Sequence, residues 1–451
     1  MQWQLNQVHQ TDHSLPVLTE VDVVVVGGGA AGIAAAVTSA QRGLKTLLVE
    51  RYGFCGGAAV AGLSGTICGM YLSTDALKSG PEQVVFGFTE RFRAAMALRN
   101  GITDPQLYGK TWTVTHDPLV WREVGEGLLI DAGVQMLYHT QVIGVIKEDD
   151  TLHGVVLNSK SGIGAVHAKV VIDASGDADV VARAGYSFKL GDDGHIQNPT
   201  MIFRLAGVDT DRFKAYWGDD TISSQKVIKA LIEADSTGGY ELPRSKIWIF
   251  ETPRPGELLI NATRVLGRDG RDLNVLDPVD HTEAEQVGRG QAREYARFLR
   301  DQVPGCEASF INDTGVEVGI RQTRSIVGVE TLSDSDVVNR RKRADGVVRS
   351  PWPIEMHNGQ KPTVEWLLDD YYEVPYGALV PAQGENLLVA GRCLSAQHQA
   401  LASARVTAQC FGYGHAAGIA AVTAIRERIP LRAISGEQIR ALLNEDGAAL
   451  D

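Results

Sequence analysis

Three glycines and one acidic residue form the most informative chemical pattern in this sequence. Gly27, Gly29 and Gly32 make a G-x-G-x-x-G motif, which is typical of a strand-to-helix turn that binds the pyrophosphate of a dinucleotide. The helix N-terminus offers free N–H groups and a partial positive charge to the phosphates. Glu50 ends the next apolar run, where a carboxylate can accept hydrogen bonds from ribose hydroxyls. We therefore predict a dinucleotide site, against the alternative of a tight turn followed by a chance acid.

The residues that follow Glu50 indicate which dinucleotide is bound. Gly56 and Gly57 come soon after the acid, and Gly62 and Gly65 follow them. A nicotinamide enzyme has no need of this glycine pair, whereas a long extended cofactor that runs past the loop would be blocked by side chains. The pattern favours FAD.

Two cysteines in the same loop could instead mark a redox site. A disulfide-reducing flavoprotein needs two closely spaced cysteines after its glycine pair, but Cys55 precedes the pair and Cys68 lies well beyond it. The sequence has 5 cysteines and no C-x-x-C, so neither a zinc site nor an iron–sulfur cluster is predicted. We interpret both cysteines as small buried residues and predict FAD bound without a covalent link.

Hydrophobic periodicity predicts the elements that must position these residues. Residues 22–26 read as a buried parallel strand, 30–41 as a helix and 45–50 as a second strand, which together make one βαβ unit. Residues 134–176 read as a three-stranded meander that returns to the parallel sheet. Further helices are expected near 82–100, 118–132, 280–302, 400–425 and 436–444.

These elements predict an α/β fold. It consists of a Rossmann-like FAD-binding domain, with a parallel sheet and a β-meander, and an inserted mixed α+β substrate domain. The insertion is expected where tryptophans, prolines and arginines concentrate. The predicted divisions are the first part of the FAD-binding domain at 1–200, a substrate or cap domain at 201–374, the closing part at 375–430 and a helical tail at 431–451.

Three blocks, at 23–59, 169–185 and 386–421, resemble FAD-dependent oxidoreductases of the glutathione-reductase-like superfamily. Within that superfamily they resemble the group related to fumarate reductase and succinate dehydrogenase flavoproteins. Ser175 stands where that group normally has threonine, and Arg392 stands where many members carry an acid. The candidate cofactor residues are Gly27, Gly29, Ala30, Ala31, Gly32, Glu50, Arg51, Gly56, Gly57, Ala58, Val142, Ala174, Ser175, Gly176, Asp177, Gly391, Arg392, Ser403, Arg405 and Val406.

The resemblance also suggests residues for catalysis, because the loop before the last long helix lines the reactive side of the cofactor in that group. His398 in this loop suits general acid–base work, with a structural histidine as the alternative. Arg405 could hold a substrate carboxylate or stabilise reduced flavin, or pair with an acid. Tyr376 could lie beside the ring or simply pack. Arg321 and Arg324 form either an anion clamp or a salt-bridged anchor; they would face opposite ways in a strand and the same way in a helix.

Composition limits the partners. The net charge is −12 over 451 residues, so nucleic acid is not expected. No segment reaches the ~18 apolar residues of a membrane span, and the N-terminus lacks the order of a signal peptide, which predicts a cytoplasmic location. No metal site is predicted. Because a second nucleotide-binding turn is missing, the substrate is expected to reach the flavin directly. An external acceptor (oxygen, a quinone or a carrier protein) would reoxidise it, and a homo-oligomer is compatible with the sequence.

The predicted function is that of an FAD-dependent dehydrogenase or oxidase that oxidises a small polar substrate by hydride transfer to flavin N5. One alternative is an ene-reductase of the fumarate-reductase type, which would run the flavin in the other direction. The other is a flavin-bound subunit without small-molecule turnover.

Overall fold

The computed structural model describes residues 14–357 and 362–451. Residues 1–13, on which the prediction about a signal peptide depends, lie outside this part of the chain. The strands are β1 (Val17–Val26), β2 (Thr46–Val49), β3 (Thr66–Ile67), β4 (Gln106–Tyr108), β5 (Thr111–Thr115), β6 (Gln135–Leu137), β7 (Gln141–Glu148), β8 (Thr151–Ser159), β9 (Gly162–Asp173), β10 (Phe188–Leu190), β11 (Phe203–Ala206), β12 (Trp248–Glu251), β13 (Glu257–Asn261), β14 (Phe310–Thr314), β15 (Arg324–Ile326), β16 (Gly346–Ser350), β17 (Ile354–Met356), β18 (Thr363–Glu365), β19 (Tyr372–Pro375) and β20 (Leu387–Val389). The α-helices are α1 (Ala30–Gln41), α2 (Phe88–Ala97), α3 (Pro118–Asp131), α4 (Asp179–Arg183), α5 (Thr210–Trp217), α6 (Gln225–Ser236), α7 (Pro278–Gln302), α8 (Asp334–Val338), α9 (His398–Ala404), α10 (Thr407–Glu427) and α11 (Gly436–Glu445).

The largest sheet has seven strands and carries the predicted βαβ unit. Its order is β6-β2-β1-β9-β8-β7, with β20 beside β9. β1 runs parallel to β2 and to β9, whereas β7, β8 and β9 form an antiparallel meander. Val23, Val24 and Val25 of β1 are fully buried, as expected for a central strand covered on both faces. The predicted α/β fold with a parallel sheet and a meander is confirmed.

Strand β9 has two different neighbours on one side, and this arrangement shapes the edge of the sheet. Its first half pairs antiparallel with β8 up to His167, and its second half pairs parallel with β20 from Val171. The carboxyl ends of five parallel strands, β6, β2, β1, β9 and β20, therefore lie at one edge. Ligands of open α/β sheets bind at such an edge.

Helices α1 and α10 pack closely because both are rich in small residues. A Cβ added at Gly414 would lie 2.0 Å from the Ala31 carbonyl oxygen, and one added at Gly418 would lie 2.7 Å from Cβ of Thr38. Only glycine permits this approach of the two backbones. The interface fixes the start of α1, and with it the glycine motif, against the C-terminal part of the chain.

The long helix predicted near 400–425 is interrupted. α9 ends at Ala404 and α10 begins at Thr407, with Val406 in an extended conformation between them. Two contacts with a distant loop stabilise the new N-terminus: the Ala408 N–H donates to the Cys68 carbonyl at 3.1 Å, and the Thr407 hydroxyl donates to the Thr66 carbonyl at 3.2 Å. The prediction of one uninterrupted helix was wrong because these tertiary contacts override local helix propensity.

The second layer is an antiparallel sheet with the order β12-β13-β11-β14. A separate buried cluster, which includes residues of α6 and α7, packs on it and extends from Met201 to Val318. Later residues such as Val348 and Tyr372 belong instead to the cluster around α1 and α10. The predicted domain limits at 201 and 374 stay a prediction.

Among the helices of the described ranges, none combines the length and the apolar character that a membrane span requires.

Candidate active site

A cavity of about 370 Å³ lies along the carboxyl edge of the large sheet, beneath the antiparallel sheet. The residues that follow β1, β2, β9 and β20 form one wall. Opposite them, Phe250 and Asn261 come from the other sheet, and Ile202 immediately precedes its strand β11. Predicted cofactor residues that line the cavity are Gly27, Gly29, Ala30, Ala31, Glu50, Arg51, Gly56, Gly57, Ala58, Val142, Ala174, Ser175, Gly176, Asp177, Gly391, Arg392, Arg405 and Val406.

The three motif glycines have different roles. Gly27 has a φ of +101°, and a Cβ on it would lie 2.5 Å from the Ala174 carbonyl oxygen. A Cβ on Gly32 would lie 1.8 Å from the Gly27 carbonyl oxygen, so both residues allow close backbone packing. Gly29 is different, because a Cβ there would meet only the Gly57 Cα, at 3.8 Å. It leaves bare backbone facing the cavity at the start of α1, which fits a pyrophosphate.

The glycine pair that follows Glu50 brings a second loop against the first. Gly56 and Gly57 have φ values of +147° and +50°. The Gly56 N–H donates to the Gly28 carbonyl at 2.7 Å, and a Cβ on Gly57 would lie 2.9 Å from the Gly29 Cα. The two loops together form a narrow backbone cradle that side chains would fill.

Glu50 is buried at the end of β2 and lines the cavity. One carboxylate oxygen accepts from the Gly28 N–H at 2.6 Å and the other from the Tyr52 N–H at 2.9 Å. Burial raises the pKa of Glu50, and these two hydrogen bonds oppose that shift. Each oxygen retains a lone pair that can accept from a ribose hydroxyl.

Arg392, which departs from the pattern of the resembled group, pairs with an acid in the loop after β9. Its Nη2 donates to Asp177 Oδ1 at 2.6 Å and its Nη1 to the Thr323 hydroxyl at 3.0 Å. Burial opposes the charge of Asp177, but Arg392 and Thr323 outweigh it and lower the pKa of this carboxyl. Position 392 therefore lacks the acid of the resembled group, but the carboxylate of Asp177 lies next to it.

Two predicted cofactor residues do not line the cavity. Gly32 faces the Gly27 backbone, as described above. Ser403 is fully buried, and its hydroxyl donates to the Trp352 carbonyl at 2.5 Å and shares a 2.8 Å hydrogen bond with the Tyr372 hydroxyl. Its contacts are those of a packing residue.

The three predicted catalytic residues lie in three different places. Arg405 lines the cavity, and its Nη2 donates to Gln197 Oε1 at 2.8 Å. His398 lines a neighbouring cavity of about 230 Å³, together with His195 and other polar residues. Burial lowers the pKa of His398. Tyr376 lines neither cavity; its buried hydroxyl donates to the Leu431 carbonyl at 3.1 Å.

Arg321 and Arg324 have different surroundings. Arg321 lines the cavity and is 8% exposed. Arg324 Nη1 instead donates to the Asp177 carbonyl and to Asp179 Oδ1, both at 3.0 Å. The structure thus places Arg324 in a salt bridge and Arg321 at the cavity, where its role as an anion clamp stays a prediction.

Sequence reasoning identified Arg321 but missed the four polar and aromatic residues that lie around it at the inner end of the cavity. We use "inner end" for the part lined by Tyr108, Arg321, Trp352, Glu355 and His357. The Tyr108 hydroxyl donates to Glu355 Oε1 at 2.7 Å, and His357 Nε2 lies 3.6 Å from the same oxygen. No motif in the sequence marks these residues, since they come from three distant segments.

Glu355 is ionised at neutral pH, whereas His357 beside it is neutral. Burial opposes ionisation of Glu355, but its neighbours His357, Tyr108 and Arg321 lower its pKa. Burial, with the nearby Arg321, lowers the pKa of His357 to about 3, so the imidazole is neutral at neutral pH. Behind it, the fully buried Arg244 places Nη2 3.4 Å from His357 Nδ1.

The cysteines of the region are buried thiols. Burial raises the pKa of Cys55, Cys68 and Cys410 to about 12 in each case, and thiols with raised pKa are poor nucleophiles. In the described ranges, no group of three or more His, Cys, Asp or Glu side chains is arranged to hold a metal ion.

Comparison with known proteins gives a family match over nearly the whole chain. The sequence model described as "FAD dependent oxidoreductase" matches residues 22–443. The thiamine thiazole synthase of Methanococcus vannielii is 33% identical over 175 residues, which cover 37% of this chain and 60% of that protein. Digeranylgeranylglycerophospholipid reductase 1 of Methanococcoides burtonii is 27% identical over 210 residues, covering 44% and 48%. The alignments therefore span less than two thirds of either relative.

Among solved structures, p-nitrophenol 4-monooxygenase from Pseudomonas putida DLL-E4 has a TM-score of 0.51 and 12% identity, and the match covers 96% of this chain and 87% of that one. At this identity the likeness concerns the fold alone.

Proposed function

Since the chain belongs to the FAD dependent oxidoreductase family, we propose that this FAD-dependent enzyme oxidises a small polar substrate by hydride transfer to the flavin. The finer resemblance to the fumarate reductase group stays a prediction. So do the roles of individual residues, the cytoplasmic location and a homo-oligomer.

The residues present fit FAD. The bare backbone of Gly29 and the N-terminus of α1 would hold the pyrophosphate, and Glu50 would bind a ribose. The cradle formed by Gly56 and Gly57 leaves room for an extended cofactor, and Asp177 with Arg392 offers polar contacts farther along. Bound FAD would supply the hydride-accepting chemistry, and the protein supplies orientation, charge and a proton path.

The observation that carries this proposal is the make-up of a single cavity. Its wall at the sheet edge carries the glycine turn and Glu50, while its inner end carries Tyr108, Trp352 and Glu355. Such a mixture of aromatic walls and a few polar groups is typical of small-molecule sites. A substrate could therefore bind in the same enclosure as the cofactor.

Oxidation of a C–OH or C–N bond also releases a proton, which a side chain must accept. The sequence predicts His398 for this task. Because His398 lines the smaller cavity, the proton would have to pass from the main cavity to the smaller one. Glu355 is a second candidate, because it is ionised, lines the main cavity and already accepts a hydrogen bond from Tyr108. An external acceptor would then reoxidise the flavin.

The test is anaerobic reduction of the FAD-loaded protein by a panel of small polar metabolites, followed by stopped-flow absorbance. Bleaching by a substrate supports oxidation. Bleaching by dithionite alone, followed by reoxidation with an unsaturated compound, would favour the ene-reductase. Dithionite bleaching with no response to any small molecule would favour the flavin-bound subunit.

Once a reducing substrate is found, His398→Asn and Glu355→Gln identify the base. Loss of a general base lowers the rate by ~10²–10⁴-fold. The variant that loses this factor in flavin reduction, while retaining FAD, carries the base. An unchanged rate across pH in His398→Asn would assign this histidine a structural role.

A further inference from the structure

We propose that the substrate is a small organic acid and that its carboxylate binds Arg321 and Trp352 at the inner end, close to Arg405. This inference rests on the proposed function, because it names the class of molecule that the same site oxidises.

The first argument is the kind of polar atom left without a partner. Among the described residues that line the inner end, Arg321 Nε and Nη2 and Trp352 Nε1 are buried and have no hydrogen-bond partner. Arg405 Nε, on the adjoining wall, is in the same state. All four atoms are N–H donors. Buried donors normally find an acceptor, so a ligand that completes this site must accept hydrogen bonds.

The second argument is charge. Three guanidinium groups lie at or behind the inner end: Arg321 lines it, Arg405 lies on the adjoining wall and Arg244 lies behind His357. Burial and the charge of Arg321 lower the pKa of both Arg244 and Arg405. Glu355 is the acid that opposes them. His357 is neutral at neutral pH and therefore does not offset this positive charge. An excess of buried positive charge requires a compensating anion.

The third argument is the contrast with the nucleotide end of the same cavity. There each arginine has its own acid: Arg51 lies 2.5 Å from Glu317 and Arg392 lies 2.6 Å from Asp177. Arg321 has no such ion pair among the described residues, although it is more deeply buried than Arg51. The available charge is therefore concentrated where a substrate would bind, and the planar fork of arginine matches a carboxylate in two parallel hydrogen bonds.

Neutral polar molecules fit these observations less well. An alcohol or an amide offers one acceptor oxygen and would leave the positive charge uncompensated. The flavin itself offers acceptor atoms, and the experiment below separates this alternative from the proposal.

The test measures equilibrium binding of unreactive acids to the oxidised, FAD-loaded protein. Acetate, malonate and succinate are compared with their amides by visible difference spectroscopy of the flavin and by calorimetry, at constant ionic strength because salt screens charge. The carboxylates should bind and the amides should not. The monocarboxylate and the dicarboxylates together show how many carboxylates the site accepts.

Variants then locate the site. Arg321→Gln should weaken carboxylate binding by about 10- to 150-fold, which is the value of a charged hydrogen-bonded contact. Arg321→Lys keeps the charge but not the planar fork, so its carboxylate affinity should lie between those of the wild type and Arg321→Gln. Trp352→Phe removes one neutral donor while keeping the ring, and should weaken binding by about 3- to 10-fold. Arg212→Gln is the control: Arg212 is exposed on α5, pairs with Glu307 and lines neither cavity, so this variant should bind carboxylates as the wild type does.

Each outcome decides between the alternatives. The proposal is overturned if acids and amides bind with equal affinity. It is also overturned if both Arg321→Gln and Trp352→Phe bind carboxylates as the wild type does. In either case, a protein that still binds FAD leaves the proposed function standing. A shifted flavin spectrum and weaker FAD binding in Arg321→Gln, with carboxylate affinity intact, would assign the free donors to the flavin and also overturn it. Failure of the wild-type protein to bind FAD would instead contradict the proposed function.

Discussion

Substitution of Gly29 by aspartate should give a folded protein that has lost FAD. Gly29 has a φ of −71° and a ψ of −174°, which is extended backbone that any residue adopts. A Cβ there would meet only the Gly57 Cα, at 3.8 Å. The fold can therefore accept a side chain at this position, but the cavity would receive a carboxylate where the pyrophosphate is expected.

The expected loss can be worked from Coulomb's law. At a separation of about 4 Å and an effective dielectric constant of about 20, two like unit charges repel by about 4 kcal/mol. That free energy corresponds to ~1000-fold weaker binding of FAD. Gly29→Asn introduces nearly the same volume without the charge, so it should lose a smaller part of the affinity.

The assay is titration of the apoproteins with FAD, followed by flavin fluorescence, with circular dichroism and thermal unfolding as checks on the fold. Gly32→Ala is a useful contrast, since its Cβ would lie 1.8 Å from the Gly27 carbonyl oxygen; here we expect damage to folding itself. A folded Gly29→Asp protein that binds FAD with wild-type affinity would refute the assignment of this turn to the pyrophosphate.

Three further predictions follow from the structure. Acid precipitation of the FAD-loaded protein should leave a colourless pellet, because the thiols near the cavity are buried and protonated; a yellow pellet would show a covalent link. Gly414→Ala should lower the free energy of unfolding by about 3 kcal/mol through overpacking against Ala31, whereas Gly290→Ala in α7, with open space around its Cβ, should be neutral or stabilising in the same urea titration. The hydrogen bond from His415 lowers the pKa of Asp446 to about 2, so this half-exposed group stabilises the fold above about pH 4 and loses that contribution as the pH falls towards 2. Asp446→Asn should therefore be less stable by about 1 kcal/mol at pH 7, and a deficit that persists at low pH would contradict the ion-pair explanation.

Much of the cofactor-binding half could be predicted from sequence because its signals are local. The apolar run of β1, the small residues of α1 and the acid at the end of β2 lie in one continuous stretch, and each follows from chain periodicity and backbone sterics. The helix predicted at 30–41 has the observed limits of α1, Ala30–Gln41. The spacing of Gly27, Gly29 and Gly32 likewise predicted a turn that the structure shows to be close-packed.

The inner end of the cavity could not be predicted in this way, because its residues meet only in the tertiary structure. Tyr108 comes from β4, Arg321 from the segment before β15 and Glu355 from β17, and no spacing along the chain relates them. The sequence predicted His398 in a loop, whereas the structure makes it the first residue of α9 and places it at the smaller cavity. The break between α9 and α10 likewise depends on carbonyl groups near Cys68, about 340 residues away along the chain. Local sequence thus determined which residues could bind a dinucleotide, since turn and strand geometry are short-range. Folding alone decided which buried charges lie together, since the burial of a side chain depends on segments that are distant in sequence.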